Sequence, residues 1–128
     1  MAALMVRTFS KSLYRGTETE EESNGSMAGY ILKKGPKFYA QNRRRWFVLD
    51  SEACLLRYYE NDTKEVELGV IDVHPQACTV YGSAFSDWAG HHQLSLATSQ
   101  TSKGRGRIYE LYFIAKVDED TWWVALMA

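Results

Sequence analysis

At 128 residues, 45 % hydrophobic and 13 % aromatic, the chain can bury one core of its own, which excludes both a second full domain and a disordered protein. Fifteen Lys and Arg nearly balance sixteen Asp and Glu, for a net charge of -1, so any anion-seeking surface must come from where the cations sit rather than from their excess. No apolar run approaches the roughly 20 residues that span a bilayer, so membrane contact is expected to be peripheral.

In MVRTFSKSLYR, Met5, Phe9 and Leu13 recur at four-residue spacing, with Arg7, Lys11 and Arg15 on a neighbouring stripe, which predicts a short amphipathic basic helix or a flexible leader. The stretch TETEEESNGS, residues 17–26, has the composition of a solvated acidic linker. Residues 1–26 are therefore expected to be a leader and linker, and residues 28–128 the folded domain.

From Gly29 the periodicity becomes that of strands. GYILKKG (29–35), RRRWFVLD (43–50), CLLRYYE (54–60), LGVIDV (68–73), ACTVYG (77–82), HQLSLAT (92–98) and RIYELYFIA (107–115) are short β-branched or aromatic runs separated by turn residues. They predict about seven antiparallel strands. A single helix follows, with Asp118 as its cap, Glu119 and Asp120 at its positive end, and Trp122, Ala125 and Leu126 on one face. A helix that buries tryptophan against the open end of a bent sheet closes a small mainly-β barrel. Residues 83–92 (SAFSDWAGHH) read as a loop covering the barrel edge.

The cations are unevenly spread. Lys33, Lys34, Lys37, Arg43, Arg44 and Arg45, with Lys103, Arg105 and Arg107, are nine of the fifteen. In RRRWFVL, Arg43, Arg45, Phe47 and Leu49 share one strand face, so the apolar pair packs inward and the arginines stand at the rim. Antiparallel pairing places Lys33 across the hairpin from them. Rim guanidiniums need water or an anion to satisfy them, which makes this mouth a candidate anion site. The intervening loop carries Lys37 beside Phe38 and Tyr39, a combination suited to the headgroup level of an anionic membrane surface.

The order GYILKKG, RRRWFVL, LLRYYE, LGVIDV, RIYELYFIA and W-x-x-A-L resembles a pleckstrin homology (PH) domain over about residues 28–128. The resemblance implies a seven-stranded, strongly bent antiparallel barrel capped by a C-terminal helix, with Trp122 as the family's helix tryptophan. It also implies phosphoinositide binding, because Lys33, Arg43, Arg45 and Phe47 match the family's basic motif and Tyr58 is similar to a tyrosine that bonds a headgroup phosphate. Lys34, Lys37, Lys64, Lys103, Arg105 and Arg107 are candidate additional contacts, with Phe38 and Tyr39 touching the membrane. Val66, Glu67 and Leu68 stand where the tightest 3-phosphoinositide binders carry another cation, and Lys64 is close but not aligned. Family helices usually run further past this tryptophan, so the resemblance fits either a complete chain with a short helix or a fragment of a larger parent protein.

Other functions fit less well. No nucleophile motif, paired carboxylates, P-loop or dinucleotide glycines point to an enzyme. His91 and His92, near Asp87, fall on opposite strand faces and do not make a metal site; no cofactor is expected. Cys54 and Cys78 lack metal or redox spacing, and no secretory or lipidation signal is legible, so the expected setting is cytoplasmic and peripheral at a membrane. Nucleic acid would need a stripe of cations rather than a concave mouth. A protein-interaction module, using the helix face and sheet edge, is the alternative reading.

Overall fold

Alternating apolar and polar residues form a single antiparallel sheet closed by one helix. The computed structural model describes residues 9–11, 19–22, 26–35, 41–83, 85–99 and 106–127. The elements in chain order are β1 (Phe9–Lys11), β2 (Thr19–Glu22), β3 (Met27–Lys33), β4 (Arg43–Asp50), β5 (Leu55–Tyr59), β6 (Glu67–Asp72), β7 (Cys78–Gly82), β8 (His92–Thr98), β9 (Ile108–Phe113) and α1 (Lys116–Met127). Strands β3 to β9 are the seven that the alternation predicts, each within a few residues of its expected bounds.

Two meanders make the sheet, in the order β6-β5-β4-β3-β9-β8-β7. Short turns hold the first together. Asp50 Oδ1 accepts hydrogen bonds from the backbone N–H of Glu52 and Ala53, each at 3.1 Å, and Asn61 Oδ1 does the same for Thr63. The meanders join where β9 returns to β3, pairing Leu32 with Tyr112 and Lys33 with Leu111. Their inner faces supply one core, including Ile31, Phe47, Leu56, Ile71, Leu94, Leu96, Leu111 and Phe113. Helix α1 lays Trp122, fully buried, and Leu126 into it, with Ala125 packed alongside, as the helical spacing predicts.

Three expectations about the two ends of the chain are revised. Asp118 does not cap α1: the helix starts at Lys116, and the N–H groups of Asp118 and Glu119 both donate to Ala115 O. Asp118 and Glu119 instead lie in the first turn, where carboxylates complement the helix dipole. The helical reading of the leader does not hold for Phe9–Lys11, which is a strand, and the linker reading does not hold for Thr19–Glu22. Because β9 joins β3 only at Leu32 and Lys33, the earlier part of β3 has an open edge. Strand β2 takes it, pairing Thr19 with Gly29, Glu20 with Ala28 and Glu21 with Met27, and β1 pairs with β2 in turn.

The loop before β8 covers the outer face of the β3–β9 seam rather than an edge. Trp88 packs edge-on against Tyr112 at 5.3 Å and stacks on His91 at 3.7 Å. The Asp87 carboxylate accepts hydrogen bonds from Tyr112 Oη at 2.6 Å and Lys34 Nζ at 3.0 Å, while its N–H donates to Gln93 Oε1. Phe85 remains exposed. Among the described residues no group of three or more His, Cys, Asp or Glu is placed to hold a metal, and no helix is long and apolar enough to cross a membrane.

Candidate functional site

The β3–β4 register sets the geometry of the mouth. Gly29 pairs with Phe47, Ile31 with Arg45 and Lys33 with Arg43. Directly paired residues share a sheet face. Ile31 and Phe47 are buried in the core, so Lys33, Arg43 and Arg45 project on that same side, one step further out. The strand therefore passes from apolar core to cationic rim within a few residues. Arg44 leaves on the opposite face, where its guanidinium lies 3.5 Å from the centre of the Tyr30 ring.

Tyr58 forms the wall beside the arginines. Its ring stacks on Phe47 at 5.2 Å, across the β4–β5 pairing. On the other side it lies against Gly69 of β6: a Cβ there would stand 2.5 Å from the Tyr58 hydroxyl oxygen. Gly69 thus provides the space into which the tyrosine ring folds. A register shift between Tyr58 and Tyr59 follows, skipping Leu68, whose side chain borders the mouth. The result is a pocket of about 400 Å³ lined by Lys33, Lys34, Gly35, Gln41, Arg43, Arg45, Tyr58 and Leu68.

The second meander adds a facing wall. Lys33 Nζ lies 5.2 Å from the centre of the Tyr58 ring and 5.8 Å from that of Tyr109 on β9. The Arg107 guanidinium lies 4.3 Å from the same Tyr109 ring. Burial, followed by the charges of Arg107 and Arg45, holds the Lys33 ammonium below the ordinary lysine value. Burial, followed by Tyr109, raises the Tyr58 phenol, while Arg107 and Arg45 pull it partly back. These shifts describe like charges gathered in a partly dry place.

Among the described residues, no carboxylate pairs with these cations. Ion pairs among the described residues join Lys34 to Asp87, Arg57 to Glu67, and Lys116 to Glu119 and Asp120. None involves Lys33, Arg43, Arg45 or Arg107. An arrangement of this kind is stabilised by an anion that brings oxygen acceptors into the mouth, and the planar guanidiniums suit the paired oxygens of phosphate.

Of the candidates read from the sequence, the structure brings Lys33, Lys34, Arg43, Arg45 and Tyr58 to one pocket and Arg107 to the facing ring. Lys64 stays apart in the turn after Asn61, where its φ of 61° belongs to the left-handed region. Lys37, Phe38, Tyr39, Lys103 and Arg105 lie outside the described residues. Sequence reasoning missed Gln41, Gly69 and Tyr109. Tyr109 had a signal, because it stands two residues after Arg107 in an alternating strand and so shares its face. Gly69 had a weaker one: glycine inside a strand marks a close approach.

No protein-family model matches the chain. Among solved structures it is similar to the C-terminal PH domain of pleckstrin in complex with D-myo-Ins(1,2,3,5,6)P5. That match has 23 % identity, a TM-score of 0.60, and covers 78 % of this chain and 89 % of that one. The PH domain of human oxysterol binding protein-related protein 11 matches at 21 % identity and a TM-score of 0.58, over 79 % of this chain and 76 % of that one. The PH domain of human pleckstrin homology domain-containing protein family A member 5 matches at 16 % identity and a TM-score of 0.61, over 99 % and 88 %. The chain has the PH fold, as the motif order implies.

Proposed function

We propose that the domain binds phosphoinositide headgroups without catalysing a reaction, and so recruits its parent protein to the cytosolic surface of a membrane. The observation that carries this reading is the convergence of Lys33, Arg43 and Arg45 on one pocket from which carboxylates are absent among the described residues. In this role the two guanidiniums clasp phosphate oxygens, Lys33 supplies a point charge between them, and the Tyr58 hydroxyl donates to a further oxygen. Lys34 stands at the rim. Lys37, Phe38 and Tyr39, between β3 and β4, are placed in the chain to meet the bilayer next to the mouth, and Lys103 and Arg105 join Arg107 in drawing the same side toward an anionic surface. A PH domain of pleckstrin held with an inositol pentakisphosphate lends support from a protein of the same fold.

Liposome co-sedimentation tests the reading, using phosphoinositide or phosphatidylserine vesicles at low and near-physiological salt, with soluble inositol phosphates as competitors. Binding to a phosphoinositide is expected to survive the higher salt and to be lost in Arg45→Ala and Lys33→Ala. Equal, salt-sensitive binding to every anionic vesicle would overturn it. Tight binding of soluble inositol phosphate without vesicle binding would keep the anion chemistry and reject the membrane role.

A further inference from the structure

Lys33 is the point at which the two meanders meet, and its surroundings go beyond what the basic hairpin alone explains. Tyr58 belongs to β5 and Tyr109 to β9, yet both rings approach the same ammonium, at 5.2 and 5.8 Å. Arg107 lies 4.3 Å from the Tyr109 ring. Tyr58, Lys33, Tyr109 and Arg107 therefore alternate ring and cation across the mouth. A lysine stem is flexible, and repulsion from Arg45 and Arg107 drives its end toward open water. The electron-rich ring faces act in the opposite direction and keep the charge at the mouth. Tyr109 is partly buried against the core, so its ring has a fixed base from which to act.

Building on the headgroup reading, we infer that Tyr109 is a positioning residue of that site: it holds the Lys33 ammonium and the Arg107 guanidinium in one mouth, so that the preferred ligand carries several phosphates and bridges both meanders. A headgroup with a single phosphodiester reaches only one wall. Phosphomonoesters spaced around an inositol ring reach the guanidiniums of β4 on one side and Arg107 on the other. The role depends on the ring rather than the hydroxyl, which separates it from a hydrogen-bonding role.

The test compares Tyr109→Phe, Tyr109→Leu and Arg107→Gln, with Arg45→Ala as reference, on vesicles containing phosphatidylinositol bisphosphate, phosphatidylinositol monophosphate or phosphatidylserine. Tyr109→Leu is expected to weaken bisphosphate binding roughly tenfold, while Tyr109→Phe stays within about twofold of the unaltered protein. Arg107→Gln, at an exposed position that does not threaten folding, is expected to lower bisphosphate binding by a larger factor than phosphatidylserine binding, which loses only one charge's share of diffuse attraction. In the ligand-free protein, the Lys33 methylene signals, assigned with Lys33→Arg, are expected to show a ring-current shift that Tyr109→Phe keeps and Tyr109→Leu reduces. If Arg45→Ala weakens binding but Tyr109→Leu and Arg107→Gln do not, the inference fails and the headgroup reading stands. If Arg45→Ala has no effect, the headgroup reading fails and the inference with it. Absence of a ring-current shift at Lys33 in the unaltered protein overturns the inference even if Tyr109→Leu does not fold.

Discussion

Lys33 and Lys34 are neighbours at the end of the same strand, and their charges meet opposite surroundings. Lys34 pairs with Asp87 at 3.0 Å, and that carboxylate also accepts the Tyr112 hydroxyl, so the outer face of the β3–β9 seam is electrically satisfied from within. Lys33, one residue earlier, faces two rings and two guanidiniums, with no acid among the described residues at ion-pair distance. The contrast teaches that counting cations does not locate a binding site. What separates a structural cation from an available one is whether the fold supplies its counter-ion.

The strongest way to break this contrast is to give the mouth an acid of its own. On the proposed headgroup role, Arg45→Glu removes one phosphate contact and offers Lys33 and Arg43 an internal partner. Losing that contact and diverting one cation, Lys33 or Arg43, to the new carboxylate removes two charge-assisted contacts at about 1.5–3 kcal/mol each, at least roughly a 100-fold loss of headgroup affinity. The melting temperature is expected to hold or rise, because like charges have been relieved; calorimetry and vesicle binding on one preparation check both. Gly69→Ala comes next. The new methyl group collides with the Tyr58 ring, costing about 1–3 kcal/mol in urea unfolding and weakening headgroup binding as the ring is displaced.

On the satisfied face the effects are smaller and concern stability. Asp87→Asn is expected to cost about 1 kcal/mol, discounted because the carboxylate is nearly half exposed. Hydrogen bonding from Tyr112, followed by Lys34, holds Asp87 below the ordinary aspartate value despite partial burial. Its contribution is therefore fully present above the unfolded value of about 3.9 and is lost as pH falls through the depressed folded value. The gap between the two proteins is accordingly wide at neutral pH and closes in acid, which pH-resolved unfolding measures. Lys34→Ala is expected to change stability by no more than about 0.5 kcal/mol, as an exposed pair, and to leave vesicle binding within about twofold. A large loss of binding there would erase the contrast between the two lysines.

What could be read from the sequence was what neighbouring residues decide. Phe47 and Leu49 face inward and Arg44 outward because strand alternation is local, and Lys33 meets Arg43 because a hairpin fixes its own register. Asp118 was misread because a residue that suits a cap also suits the first turn, and only the Ala115 carbonyl decides between them. The pairing of Thr19–Glu22 with β3 depends on where β9 stops, which no local pattern encodes. Tyr109 is missed for the same reason: its face is legible, but its partner Lys33 lies across a contact between distant parts of the chain. Lys64 shows the converse, being close to the expected position in sequence yet lying in a turn and outside the residues that line the pocket.

The seam between β3 and β9 also has a meaning in time. Each meander is assembled from sequence neighbours, and such pairings close cheaply, whereas bringing Lys33 beside Leu111 closes a loop that spans most of the domain. The first meander on its own carries Lys33, Arg43, Arg45 and Tyr58 but lacks the opposing wall of Tyr109 and Arg107. The complete mouth therefore depends on the strand pairing with the largest loop-closure cost, and a chain with its two halves unjoined displays the cations without the grip.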